Sequence, residues 1–257
     1  QGWDIETSRG LNQAREAEYL FEEEEHGSYP IYGGRNIYQF VHDRTYFDLD
    51  GPSYWGVSED ADGPSAKTRV RERELHELER QFADVVVDPQ QVTFGDGTKL
   101  DRNNVPMPFD EYRIAYRDVA SSQNERTVIA SVIPPGVVCL NTLHTIHPYD
   151  WRRQEQQIGT TTPDDLFRPT NHPEELFCLL GLLNSIPFDY LMRTKVKTHL
   201  SDYLIKESQV PPLTNNTTGF DLIWESAAQL NCYGDSFASL RDALNITPLH
   251  DEEERRT

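Results

Sequence analysis

Residues 177–213, FCLLGLLNSIPFDYLMRTKVKTHLSDYLIKESQVPPL, decide the fold class of this chain. The opening run is apolar on nearly every side, which describes a core helix, and it breaks at Asn184-Ser185. An aromatic-rich turn follows. A second amphipathic segment then climbs to Pro211-Pro212, where consecutive prolines end it. Further on, Phe220 to Asn231 and Asp235 to Leu244 carry helical patterns, so the chain from 173 onward reads as a helical segment.

Upstream the pattern changes period. EYRIAYRDVA, RTVIASVIP and VVCLNTLHTI, beginning at Glu111, Arg126 and Val137, are β-branched or aromatic and bounded by Pro or Gly. They predict three strands of one small sheet. Earlier still, the turn-rich GSYPIYGGRN leads into NIYQFVHD, which has the content of a strand, and Gly51-Pro52 precedes a short run, SYWGVSE. Between Thr68 and Asp84, Val70, Leu75, Leu78 and Phe82 recur at near-helical spacing among charges and predict an exposed amphipathic helix. Residues 85–108 read as a loop or hairpin, with TFGDGTKL as its tip. The fold class expected is α+β: a mostly β region over 1–158 built on a small mixed sheet, a Thr-, Pro- and Asp-rich linker over 159–172, and a helical support region over 173–257.

With 257 residues the chain is long enough to bury a sizeable core. Its charge is the more telling property: 24 Lys plus Arg against 43 Asp plus Glu give a net −19. Binding to a phosphate backbone normally relies on clustered cations, so this is the wrong sign for a nucleic-acid binder. Two readings meet it. Either the chain binds no nucleic acid, or it is halophilic and works in a salt-rich cytoplasm, where an acidic surface maintains solubility. The cations favour the second, since only five of the 24 are Lys and Arg is the side chain suited to bidentate recognition of phosphate and guanine. No secretory signal pattern opens the sequence and no apolar run reaches the ~20 residues of a membrane span, which predicts a cytoplasmic protein. Cys139, Cys178 and Cys232 are odd in number and far apart, unlike a disulfide framework or a zinc site. Gln1 does not read as a natural start and the tail LHDEEERRT stops in a charged run, so the chain reads as a fragment.

Several catalytic constellations fail on spacing. Asp96-Gly97-Thr98-Lys99 has one residue too many for the acidic-x-Lys triplet of a metal-dependent nuclease, and Asp164-Asp165 has no following Lys. A single Gly-x-Gly in TFGDGTKL is more simply a hairpin turn than a cofactor loop. His144 and His147, three apart on a strand end, diverge and predict polar or partly buried roles.

Four short blocks in order carry a resemblance. They are YPIYGGRNIYQF at 29–40, SYWGV at 53–57, YRIAYRDVASSQNERTVIASVIPPG at 112–136, and the helix with LLNSIPFDYLMRTKV. Across most of the chain this order resembles the target-recognition region of type IIG-like proteins, in which one polypeptide both methylates adenine and chooses the DNA sequence; the phage-defence methylases of BREX and DISARM systems look similar. The resemblance implies double-stranded DNA and a methyltransferase lobe or subunit as partners. S-adenosylmethionine would be the cofactor of that parent system, with none bound by this chain. The family's catalytic (Asn/Asp)-Pro-Pro-Tyr loop, which holds a flipped adenine, has no counterpart: Pro134-Pro135 follows Ile133 and Pro211-Pro212 follows Val210. No catalytic, cofactor-binding or metal-binding residue is therefore expected.

For DNA contact the expected residues are Arg35, Gln39 and Arg44 in the first block and Arg117, Asn124 and Arg126 in the third, where Arg can read guanine and Asn or Gln can read adenine. Arg193, Lys195 and Lys197 form the one dense basic cluster and suit phosphate anchoring. Against this stand ion pairing of Arg117 with Asp118 and of Arg126 with Glu125, an acidic protein-interaction or scaffold module without DNA binding, and an inactive gene fragment.

Overall fold

The computed structural model describes residues 3, 5–24, 28–43, 51–56, 65–81, 91–94, 96–101, 104–148, 162, 167, 172–208 and 210–249. The fold is α+β. The strands are β1 (Thr7–Ser8), β2 (Tyr29–Tyr32), β3 (Tyr54–Gly56), β4 (Gln91–Thr93), β5 (Lys99–Asp101), β6 (Arg113–Arg117), β7 (Ala130–Ile133), β8 (Val138–Cys139) and β9 (Leu143–Ile146). The helices are α1 (Ala66–Gln81), α2 (Pro173–Leu183), α3 (Ile186–Lys195), α4 (Asp202–Lys206), α5 (Phe220–Asn231) and α6 (Ala238–Leu244).

The strands form three sheets where the sequence predicts one small sheet and a separate loop or hairpin. An antiparallel sheet runs β1-β9-β6-β7, a mixed sheet runs β3-β2-β8, and β4 and β5 form a hairpin. VVCLNTLHTI is divided because a turn at Asn141-Thr142, closed by Leu143 N–H to Leu140 C=O, sends β8 to one sheet and β9 to another. The hairpin at TFGDGTKL forms as read, with Gly97 at φ 85°.

β6, β7 and β9 are buried on both faces, hence their nearly continuous apolar sequence. By strand alternation, Ile114, Tyr116, Ala130 and Val132 face one core with Phe177, Leu180 and Ala227 of the helices. Ala115, Ile133 and Leu143 face a second cluster with Tyr32, Ile37 and Cys139. The helical segment thus shares its core with the sheet.

α2 begins as its sequence demands. His172 is extended, Pro173 takes the first helical position and Glu174 and Glu175 favour the positive end of the helix dipole, with Glu175 accepting His172 N–H at 3.1 Å. It packs on α5 closely enough that a Cβ on Gly181 would lie 2.6 Å from Ile223 Cγ2. At Asn184 the helix stops and the chain bends by 58°. IPFDYLMRTK, predicted as a turn, is the helix α3. Ser185 caps it by accepting Phe188 N–H at 3.3 Å, and Pro187 falls in its first turn, where no donor is missed.

β7 ends its sheet, and side chains close its free edge. Asn231 accepts Val132 N–H and donates to Val132 C=O, both at 2.9 Å, while Asn184 does the same for Ala130 at 3.1 and 2.9 Å. Just before the strand, Asp189 Oδ1 accepts from Thr127 and Val128 N–H, both at 2.8 Å. An unpaired edge would invite another strand, and here it is capped by amides.

Two further expectations change. NIYQFVHD is not a strand: a 3-10 turn covers Gly34–Asn36, and Tyr38 and Val41 bridge each other around Phe40 at φ 58°. The strand is YPIY, where Pro30 precedes the two residues that pair with β8 and so interrupts nothing on that side. α1 starts at Ala66, with Ser65 Oγ accepting Lys67 N–H at 3.2 Å, and it is not simply exposed: Leu75 and Leu78 are buried, and Arg69 meets the buried Glu16 at 3.0 Å. Phe82, the linker bulk and Arg44 lie outside the described residues.

At Gly10 the N-terminal segment crosses β8 with no room for a side chain, since a Cβ there would sit 2.1 Å from Cys139 C=O. Leu11 N–H donates to that same carbonyl at 2.8 Å. Gly10→Ala is expected to destabilise the protein by about 3 kcal/mol or more, because backbone must move on both sides; chemical denaturation measures this.

Among the described residues no single helix is long and apolar enough to cross a membrane. α2 and α3 reach the length only as a bent pair, and α2 is largely buried in the core.

Candidate functional site

A cleft of about 510 Å³ opens where the β2–β3 sheet meets the end of β6. It brings together Arg35, Arg117 and Asn124, from three separated stretches of sequence. Strand alternation explains Arg117, which shares the β6 face of Ala115 and Arg113 and points away from the helices. Its guanidinium donates to Ile37 C=O and lies 5.7 Å from the Tyr38 ring. Its stem passes Gly34, where a Cβ would stand 3.7 Å from Arg117 Cγ and 2.9 Å from Thr142 C=O.

The Gly33-Gly34 pair forms the cleft wall through main-chain donors. Gly33 N–H donates to Asn36 Oδ1 at 2.7 Å and to Ser53 Oγ at 3.1 Å, and Gly34 N–H donates to Thr142 Oγ1 at 3.1 Å. Asn36, buried, also accepts from Ser53 Oγ at 2.5 Å and donates to Gly51 C=O. Arg35, exposed, is thus presented from a turn fixed on both sides.

Two residues that the sequence did not single out complete the cleft, Gln13 and Tyr54, hydrogen-bonded to each other through Nε2 and Oη. Gln13 sits on a turn held by Asn12, whose Oδ1 accepts from Ala14 and Arg15 N–H, both at 3.1 Å. Glu16 Oε2 in turn accepts Asn12 N–H at 2.7 Å. The readable signal was Asn at a turn start with Glu four residues on.

The other expected contacts lie elsewhere. Gln39 does not face the cleft as a base reader would: its amide donates to Val128 C=O at 3.2 Å and Asn184 C=O at 3.4 Å, joining the 38–41 turn to the β7 edge. Arg193, expected to anchor phosphate, donates to Glu125 C=O at 2.6 Å and Asp189 Oδ2 at 3.1 Å, holding the 121–126 loop from behind. Arg126 is half-buried on that loop, outside the cleft lining, and Lys195 and Lys197 are exposed at the end of α3. Asp118 turns away from Arg117's side to meet His199 Nδ1 at 2.8 Å.

A second polar cluster lies on the helix-facing side of β6. Asp202, at the start of α4, takes Tyr116 Oη at 2.9 Å and His144 Nδ1 at 2.6 Å on Oδ1, and Arg9 Nε at 3.1 Å on Oδ2. His144 Nε2 is 3.9 Å from Asp118, and His147 pairs separately with Glu74 at 3.5 Å, so the two histidines do diverge. Burial raises the Asp202 carboxyl, but hydrogen bonds from His144, Tyr116 and Arg9 outweigh it and hold the group well below the usual carboxylate range. Such a depressed group contributes stability that is present above the unfolded value near ~3.9 and is lost as pH falls through the lower folded value. Asp202→Asn is therefore expected to melt below the parent at neutral pH, with the gap closing as acid is added; thermal unfolding followed from neutral into acid pH measures it.

Burial pushes the Cys178 thiol up to about 11 and the Cys232 thiol up to about 12, leaving neither as a thiolate nucleophile. Among the described residues no three His, Cys, Asp or Glu side chains are grouped to hold a metal ion. The chain matches no protein-family model and no curated protein.

Proposed function

We propose that this chain is a DNA target-recognition region that works with an adenine-N6 methyltransferase lobe in the cytoplasm of a halophile, and that the Arg35–Arg117–Asn124 cleft is its contact face. One observation carries this reading. In a chain of net charge −19, the cleft lining among the described residues contains two arginines and no carboxylate. Two arginines converging on one cleft focus positive potential where an anion is to be bound. Arginine also pairs bidentately with phosphate, and asparagine carries the donor and acceptor that match a base edge. Duplex orientation falls to this chain, and S-adenosylmethionine chemistry to the partner lobe.

Fluorescence anisotropy with a random-sequence duplex library tests this across salt. Log affinity is expected to fall with log salt at a slope of about −2 to −3, for two or three phosphate contacts, with one short sequence enriched. Absence of DNA retention at every salt concentration would overturn it. A second reading, a protein-interaction module, is favoured by Ile186 and Tyr190, one turn apart on α3 and 70% and 71% exposed. Cross-linking that captures a protein partner through this face, with no effect from Arg35→Ala, would select it.

A further inference from the structure

We infer, resting on the proposed DNA reading, that the cleft holds a single unpaired nucleotide extruded from the duplex, with Gln13 and Tyr54 as its base-contacting residues. Shape carries the first step. Paired bases are read by elements that protrude into a groove, such as a helix or a β-ribbon. This site is concave, and its volume of about 510 Å³ lies in the ~300–1,000 Å³ range of clefts that enclose small ligands. A concave reader receives what projects from DNA, and an extruded nucleotide is what projects.

Lining chemistry gives the second step. Gln13 and Asn124 supply two amides, each with paired donor and acceptor, which suit the edge of a base freed from its partner. Tyr54 supplies a π-face, and base–aromatic stacking tolerates any base. Arg35 and Arg117 supply guanidiniums for the nucleotide's phosphate. Val119, 58% exposed, offers apolar contact at the same site.

Rigidity gives the third. The Asn12 turn fixes Gln13, and the Gln13–Tyr54 hydrogen bond aligns amide and phenol before any ligand arrives. A preset pair loses little freedom on binding.

The test compares three duplexes of one sequence: fully paired, with one bulged nucleotide, and with an abasic site at the bulge. Free deoxynucleoside monophosphates and inorganic phosphate are the small probes. The bulged duplex is expected to bind roughly 5- to 150-fold tighter than the paired one, the span of one stacked base. The abasic bulge loses that gain, and free monophosphates bind far more weakly than the bulge. Gln13→Ala and Tyr54→Ala, each melting with the parent, bind the bulged duplex no tighter than the paired one. Equal affinity for paired and bulged duplexes overturns this inference and leaves the recognition reading standing. A bulge preference unchanged in both variants, or free monophosphate binding as tightly as the bulge, also overturns it. No binding of any duplex overturns both.

Discussion

Asn231→Leu is expected to lower the melting temperature by on the order of 10 °C. The substitution keeps the branch at Cγ and the number of heavy atoms, and the added bulk of its methyl groups in a fully buried site acts in the same direction as the polar loss. What is lost is polar pairing. Val132 N–H and C=O and Ser131 Oγ all meet Asn231 at 2.9 Å in a fully buried site. A buried group left unpaired costs about 1–3 kcal/mol; the three together come to about 3–5 kcal/mol because Ser131 Oγ and Val132 C=O keep each other at 3.3 Å, and a chain of this size loses roughly 2–4 °C per kcal/mol. Asn184→Leu follows the same logic with a smaller effect, because Asn184 serves Ala130 alone at this edge, whereas Asn231 also accepts Ser131 Oγ. Calorimetry ranks the two, and equal or negligible losses would show that the β7 edge does not depend on these amides.

Asp189→Ala reaches from stability into the cleft. The carboxylate is buried at 3% exposure, accepts two main-chain donors from Thr127 and Val128, and pairs with Arg193. Removing it leaves two buried amides without their acceptor and Arg193 without its carboxylate partner, at an expected cost of about 3–5 kcal/mol. Arg193 also holds the loop that carries Asn124 into the cleft, through Glu125 C=O. Faster hydrogen exchange at residues 121–128 is therefore expected along with the lost stability. Asp189→Asn, which retains one acceptor, falls between the two. Urea unfolding with amide exchange measures both effects.

The quoted stretch at 177–213 contained more than its periodicity could express. The helix over α2 was legible because Pro173, two glutamates and an apolar run agree at every level. So was α5, whose bounds match the sequence reading. Asn184 was legible only as a break, because nothing local tells that its amide faces a strand edge 54 residues earlier. The same limit hid Asp189. α3 was misread because Pro187 and its aromatics look like a turn, although Ser185 followed by Pro in the first turn is a helix start. YPIY was read as part of the turn-rich entry GSYPIYGGRN, and only the pairing partner shows that the Pro30 ring sits where no hydrogen bond to β8 is due.

Site residues divide along the same line. Arg35, Arg117 and Asn124 were legible by residue type, but their convergence depends on a turn, the end of β6 and a loop meeting in space. Gln39 and Arg193 had the right chemistry and other partners. The glycine pair at 33–34 was visible, and its purpose, a close approach to Ser53 and Thr142, was not.

The cleft as the DNA-contacting face is tested most directly by hydrogen exchange of the protein with and without the enriched duplex. Protection is expected at residues 33–35, 53–54, 117–124 and 140–142, the segments that build the cleft. Unchanged exchange in all four with the duplex bound, and protection appearing instead along α3 or nowhere, would contradict it.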